Sequence, residues 1–207
     1  MSGKVDRDER REELAEAVWR VICRSGIQGV TIRSVAAEAG WTRGVVQLYF
    51  RDKEDLLLFA FELAARHALE VDARAMGAAT GLERVRRLLL AYVRPDEEQR
   101  TVVNALLALY AMCAGLPTLQ RAGRDNLGAW TEASREFFAT VASEGGFRDG
   151  LDFGVAAIEY LALAIGLAEI DFIDHEALAG AAGGRVVDEY LGRVGAPDEL
   201  KRLGIAP

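Results

Sequence analysis

Arg43 and Gln47 stand one helical turn apart, with Gly44 and Leu48 beside them at the same spacing. Arginine and glutamine make paired hydrogen bonds to guanine and adenine edges in the major groove, so this quartet could read base pairs. Lys53 follows directly after Asp52, a good helix cap. A lysine beside the free amides of a helix N-terminus suits a DNA phosphate. Thr31, Arg33, Thr42 and Tyr49 are the further candidates for holding the DNA backbone. A solvated helical hairpin would show the same residue types, so the decision falls to the elements that position them.

Those elements lie between Thr31 and Leu57. Thr31 is placed to cap a short helix whose apolar stripe is Val35, Ala36 and Ala39. Gly40 stands where that helix must stop, since glycine accepts the left-handed backbone without a Cβ clash. Thr42 then caps a second short helix, in which Val46, Tyr49 and Phe50 share a face away from Arg43 and Gln47. Ala36 and Ala37 allow the two helices to cross closely. Helix, tight glycine turn, helix is the helix-turn-helix pattern. A preceding helix from about Arg7 to Ser25 has Leu14, Ala17, Val18, Val21 and Ile22 as its buried stripe, and Gly26 ends it. The residues before it carry no pattern and are expected to be loose, with Lys4 and Arg7 as a possible basic arm.

This stretch resembles the DNA-binding domain of the TetR family of bacterial transcriptional regulators. The resemblance rests on Gly29-Val30-Thr31, Val35-Ala36-Ala37-Glu38-Ala39-Gly40, Tyr49-Phe50 and Lys53-Glu54-Asp55-Leu56-Leu57, in unbroken spacing. The family often has tyrosine where this chain has Gln47, and a polar or aromatic residue where it has Leu48, so its operator sequences do not carry over. The C-terminal half resembles the subgroup that includes choline-sensing regulators of betaine pathways. The resemblance implies a double-stranded DNA operator, a small-molecule effector bound among the middle helices, and a homodimer formed through the last two helices.

Bulk properties agree with an all-α, TetR-like chain. Alanine, leucine, arginine and glutamate dominate, and only four prolines occur. Periodicity and breakers give about nine helices; the resemblance implies a DNA-binding head at 1–53 and an effector-binding and dimerisation body at 54–207. The formal net charge of −7 argues at first against nucleic acid, but its distribution does not. Between residues 20 and 53, Arg20, Arg24, Arg33, Arg43, Arg51 and Lys53 stand against only Glu38 and Asp52, which leaves the acidic excess elsewhere. Cys23 and Cys113 lie far apart, consistent with reduced thiols and a cytoplasmic protein. The polar N-terminus does not read as a signal peptide. The apolar run Phe153–Leu167 is short for a membrane span and carries Glu159, at a cost of roughly 2.5 kcal/mol or more in a bilayer, so no membrane partner is expected.

In the body, Thr80 and Glu83 form a capping-box pattern that opens a helix ending by Pro95. Residues 96–115 read as the next helix and Pro117 opens another. Gly145-Gly146 breaks the chain, and the last two helices run from about Asp149 to Phe172 and Asp174 to Val194. Gly154, Ala156, Ala157, Ala162, Ala164, Gly166 and Ala168 give the first of these two many small positions, which suit close packing against a two-fold mate. Candidate effector-lining residues are Tyr92, Tyr110, Met112, Cys113, Trp130, Phe137, Glu159 and Tyr160. A carboxylate such as Glu159 among apolar neighbours must pair, meet a cationic ligand or face solvent. The resemblance to the choline-sensing subgroup implies an apolar or cationic amphipathic effector, with Glu159 as its candidate counter-charge.

An enzyme is not expected. The only histidines, His67 and His175, fall in separate helices, and there is no nucleophile elbow, Walker loop, dinucleotide fingerprint or HExxH. No catalytic residues, metal ligands or cofactor are assigned. The competing class is an acidic helical adaptor that uses the same fold without binding DNA; salt-dependent DNA binding separates the two.

Overall fold

The computed structural model describes residues 2–206, with side chains from Arg7 onward. Among the described residues the chain is all-α. Its helices are α1 Ser2–Ser25, α2 Ile32–Glu38, α3 Arg43–Tyr49, α4 Lys53–Met76, α5 Gly81–Val93, α6 Glu97–Met112, α7 Pro117–Ser143, α8 Phe153–Ile173, α9 Ala182–Val194 and α10 Pro197–Leu203. A 3-10 turn, Ile27–Gly29, joins α1 to α2.

The structure departs from the sequence expectation at several helix ends; α8, for one, begins at Phe153, capped by Asp152, rather than near Asp149. α1 begins at Ser2 rather than near Arg7; the side chain of Lys4, read as part of a basic arm, lies outside the described residues. α9 begins at Ala182 rather than Asp174. The Asp174 carboxylate accepts the Glu176 amide at 3.0 Å, and Gly180 at φ +69° interrupts any helix there. A tenth helix, α10, follows Pro197. It has the signature of a short helix complete at both ends: Pro at its first turn, Asp198 and Glu199 beside it, Lys201 and Arg202 in the last turn, and left-handed Gly204 as the C-cap.

The helices pack as two compact units. The first contains residues 1–69 and 97–126, the second 70–96 and 127–207, so α4 and α7 each contribute to both. In the first unit, α1 buries Leu14, Val18, Val21 and Ile22 against Val35 of α2, Val46 of α3, Leu56, Ala60 and Phe61 of α4, and Val102, Leu106 and Leu109 of α6. Trp19 donates its indole N–H to the Ala60 carbonyl at 3.0 Å, and the Arg11 guanidinium lies 4.9 Å from the Phe50 ring and 4.1 Å from that of Phe59. These contacts lock α1 to the junction of α3 and α4.

In the second unit α5 buries Leu82, Val85, Leu88, Leu89, Tyr92 and Val93 and packs on α8, α9 and α10. Phe138 stacks on Phe147 at 4.8 Å and meets Tyr160 at 5.5 Å. The start of α5 is not the capping box that Thr80 and Glu83 suggested, for the Thr80 side chain makes no cap hydrogen bond. Gly81 adopts φ +55°, and the amides of Gly81 and Leu82 donate to the carboxylates of Glu144 and Glu199. A side chain at Gly81 would also strike Glu199, its Cβ lying 2.7 Å from Oε2. Distant carboxylates therefore do here what a local hydroxyl does elsewhere.

Candidate functional site

The helix-turn-helix is built from local signals. The Thr31 hydroxyl accepts the Ser34 amide at 3.0 Å, and the Ser34 hydroxyl accepts the Thr31 amide at 2.9 Å, which closes a reciprocal capping box on α2. Gly40, at φ +72°, turns the chain. Thr42 caps α3 through the Val45 amide at 3.4 Å, and Asp52 caps α4 through the Asp55 amide at 2.8 Å. Inside, Val46 and Phe50 are buried; outside, Arg43, Gly44, Gln47 and Leu48 are all exposed, Leu48 by 73%. Tyr49 is half-buried, its ring edge-on to Trp41 at 5.7 Å.

Ion pairing thins out the basic patch counted from sequence. Arg20 and Arg24 both hydrogen-bond Glu38, and Arg24, the stronger influence, holds that carboxyl below its usual range. Arg51 pairs with Asp55 at 3.5 Å. Among the described residues Arg33, Arg43 and Lys53 have no ion-pair partner. These three are the cations of the sequence-derived DNA set, and Arg33 and Lys53 lie in the first turns of α2 and α4. Thr31 and Thr42 spend their hydroxyls on caps.

The eight effector candidates are divided between the two units. Tyr110, Met112 and Cys113 belong to the first unit, where Tyr110 donates to Asn126 and stacks edge-on against Phe61 at 5.0 Å, while the Cys113 thiol points to the Leu119 carbonyl at 3.2 Å. Tyr92, Trp130, Phe137, Glu159 and Tyr160 belong to the second. There Tyr92 and Tyr160 are buried, Phe137 is half-buried against Tyr160 at 6.1 Å, and Glu159 faces solvent. Glu159 is thus no buried counter-charge. Two carboxylates are buried among the described residues, Asp171 of α8 and Asp72 of α4, and sequence reasoning passed over Asp72. It falls one turn after Ala68 on the apolar stripe of α4, and that placement was its signal. The Tyr92 hydroxyl donates to Asp72 Oδ1 at 3.0 Å and Oδ2 at 3.1 Å. A separate groove of about 410 Å³ lies in the second unit along Arg185, Asp188, Glu189, Gly192, Arg193 and the 204–206 segment, and none of the eight candidates lines it.

α8 sorts its small residues in an unexpected way. Ala156, Ala157, Ala164 and Ala168 pack inside the second unit, and its outer face carries Val155, Ile158, Ala162 and Ile173 instead. α8 is also long and apolar enough to cross a membrane, a test that core helices pass equally.

The family description "Bacterial regulatory proteins, tetR family" matches residues 14–59, and "BetI-type transcriptional repressor, C-terminal" matches residues 81–196. The HTH-type transcriptional regulator PksA of Bacillus subtilis is 28% identical over 169 residues, 81% of each chain. The HTH-type transcriptional regulator BetI of Burkholderia mallei is 32% identical over 122 residues, 58% of this chain and 63% of that protein. Among solved structures, a transcriptional regulator from Rhodococcus sp. Rha1 superposes with a TM-score of 0.75 at 21% identity, covering 95% of this chain and 99% of that one. A regulator from Saccharomonospora viridis in complex with choline gives 0.77 at 22% identity, covering 91% and 99%. With one description matching the helix-turn-helix and the other more than half of the chain beyond it, the chain belongs to the tetR family and is a helix-turn-helix transcriptional regulator of the BetI type.

Proposed function

We propose that the protein is a cytoplasmic repressor that binds a near-palindromic operator as a homodimer and leaves it when a small apolar or cationic amphipathic effector binds the body. The observation that carries this is the outer face of α3: Arg43 without an ion-pair partner and Gln47 one turn on, with Lys53 free in the first turn of α4. In this reading residues 1–53 form the DNA-binding domain. Arg43, Gln47, Gly44 and Leu48 meet bases, while Thr31, Arg33, Thr42, Tyr49 and Lys53 hold the backbone. Two such heads would sit about 34–36 Å apart, one DNA turn, or a small multiple of it.

Residues 54–207 then bind effector and partner. The outer face of α8 supports self-association: Val155, Ile158 and Ile173 are 56%, 52% and 76% exposed, and Val186 of α9 is 43% exposed. A self-complementary apolar face closes on a two-fold axis. An effector releases DNA only if it binds the DNA-incompetent arrangement better; tenfold preference per site shifts the balance by about 1.4 kcal/mol per site. The BetI-type match and the choline complex of a structural neighbour support a quaternary ammonium effector. α4, with Lys53 in its first turn, would transmit the change.

The test is selection of genomic fragments by the purified full-length protein. The expected outcome is a shared near-palindromic site, bound as a dimer with strong salt dependence. Recovery of no shared site, or salt-insensitive binding, overturns the reading in favour of an adaptor.

A further inference from the structure

Asp72 is a buried carboxylate that DNA recognition leaves without a task. It is 6% exposed, and among the described residues its hydrogen-bonding partner is the Tyr92 hydroxyl of α5. Tyr160 of α8 lies close enough that Asp72 pushes its phenol further above the usual range than burial alone, and Tyr190 of α9 does the same to Tyr160 in turn. Phe137 and Phe138 of α7 pack their rings against Tyr160. No arginine, lysine or histidine engages Asp72 among the described residues. Tyr92 supplies one hydrogen where an ionised carboxylate has about four acceptor positions. A carboxylate so enclosed is costly as an anion until a cation joins it.

We propose that Asp72 is the counter-charge for a cationic amphipathic effector, which takes the place of the Tyr92 hydroxyl on the carboxylate while the surrounding tyrosine and phenylalanine rings receive its apolar part. This rests on the effector-controlled reading above and assigns it a residue and a sign of charge. Aromatic faces attract cations, and quaternary ammonium groups are the class that such ring-lined sites take. Without a ligand, burial pushes the Asp72 pKa up to about 7, and the Tyr92 hydrogen bond offsets that only in part. Binding below that pH is then an exchange. The carboxylic acid releases its proton to the buffer, the carboxylate keeps the negative charge, and the ammonium group neutralises it.

The experiment titrates full-length wild type, Asp72→Asn and Tyr92→Phe by calorimetry, after circular dichroism has established folding. The probes are choline, tetraethylammonium, dodecyltrimethylammonium and the uncharged tert-butyl analogue of choline. At least one cation binds wild type. Its affinity rises about tenfold per pH unit below about pH 7 and levels off above it, with close to one proton released per cation at the acid end, read from buffers of different ionisation heat. The uncharged analogue shows neither effect. Asp72→Asn weakens the cation by about 10–100-fold. Tyr92→Phe keeps the carboxylate, removes its competitor and tightens the cation by about 3–10-fold. If Asp72→Asn does not fold, proton release and Tyr92→Phe decide. Binding by none of the cations, equal binding by Asp72→Asn, or no proton release overturns the proposal. Operator binding of the ligand-free samples is measured alongside. If it persists while no cation binds, Asp72 loses this role and the DNA-binding reading stands; if wild type binds no operator, that reading falls and the cation titration still decides Asp72.

Discussion

α2, α3 and α4 begin at residues whose own side chains take up the free amides three positions on, from Thr31, Thr42 and Asp52. α5 begins where no neighbour does so, and carboxylates 63 and 117 positions away close its first turn. The outward faces differ as well. α3 presents Arg43 and Gln47 around a single exposed leucine, whereas α8 presents a row of aliphatic side chains. The DNA-facing region is thus specified residue by residue, and the body is specified by what folding brings together.

The largest expected effect tests the two outward faces. Ile158→Lys on α8 should weaken self-association by about 2–4 kcal/mol, roughly 30–1000-fold in dissociation constant, whereas Leu48→Lys on α3 should leave it unchanged. Sedimentation velocity at micromolar concentration decides; a dimer that survives Ile158→Lys moves the interface elsewhere.

Next comes pH, on which the two regions should respond with opposite sign. Asp72 titrates at about 7 when folded and at 3.8 ordinarily, so the folded body holds an extra proton between those values. Its contribution is fully present below about pH 4 and is lost as pH rises to about 7, by at most about 1.4 kcal/mol per unit. Asp72→Asn should flatten that decline and be the more stable form above neutrality, as urea unfolding across the range would reveal. Glu38 works the other way. Held below its ordinary 4.5 chiefly by Arg24, it stabilises the head above that value and loses the contribution as acid protonates it.

Within the head, Arg43→Ala should cost about 1–3 kcal/mol at the cognate site and relax one base position. Lys53→Ala should weaken all sequences alike and lower the salt slope by about 1. Binding isotherms at several salt concentrations separate them, and a changed base preference from Lys53→Ala alone would reverse the assignment. The smallest effects concern the caps. Thr31→Ala should cost about 1 kcal/mol, with faster amide exchange confined to α2. Glu144→Ala should cost a similar amount, but exchange should quicken at the start of α5 and the end of α7 together. Exchange confined to one helix in both variants would erase the contrast between local and remote capping.

The same contrast explains what the sequence made legible. Thr31, Gly40, Thr42 and Asp52 announce their roles because cap and capped amide lie within one turn, so the helix-turn-helix could be read from spacing. Thr80 misled for the complementary reason: its pattern was local, but Gly81 turns with positive φ and its amide goes to Glu144. Tyr92, Tyr110, Phe137 and Tyr160 were offered as effector-lining candidates without any sign of which core each enters, since a position along a helix fixes a direction and not a neighbour. Glu159 drew attention through its apolar surroundings in sequence, yet it lies on the exposed side of α8. Asp72 was hidden because one acidic position on a long amphipathic helix reads as solvated until a tertiary contact encloses it.

The bond from the Leu82 amide to Glu199 has a consequence in time. It joins positions 117 residues apart. At about 5–20 residues per second on the ribosome, on the order of 6–20 s pass between synthesis of the first turn of α5 and synthesis of the carboxylate that closes it. The helix-turn-helix has all its caps within reach as soon as its own residues emerge. Until α10 is made, the nascent chain therefore carries a helix-turn-helix whose caps are complete on a body whose α5 is still open at its first turn.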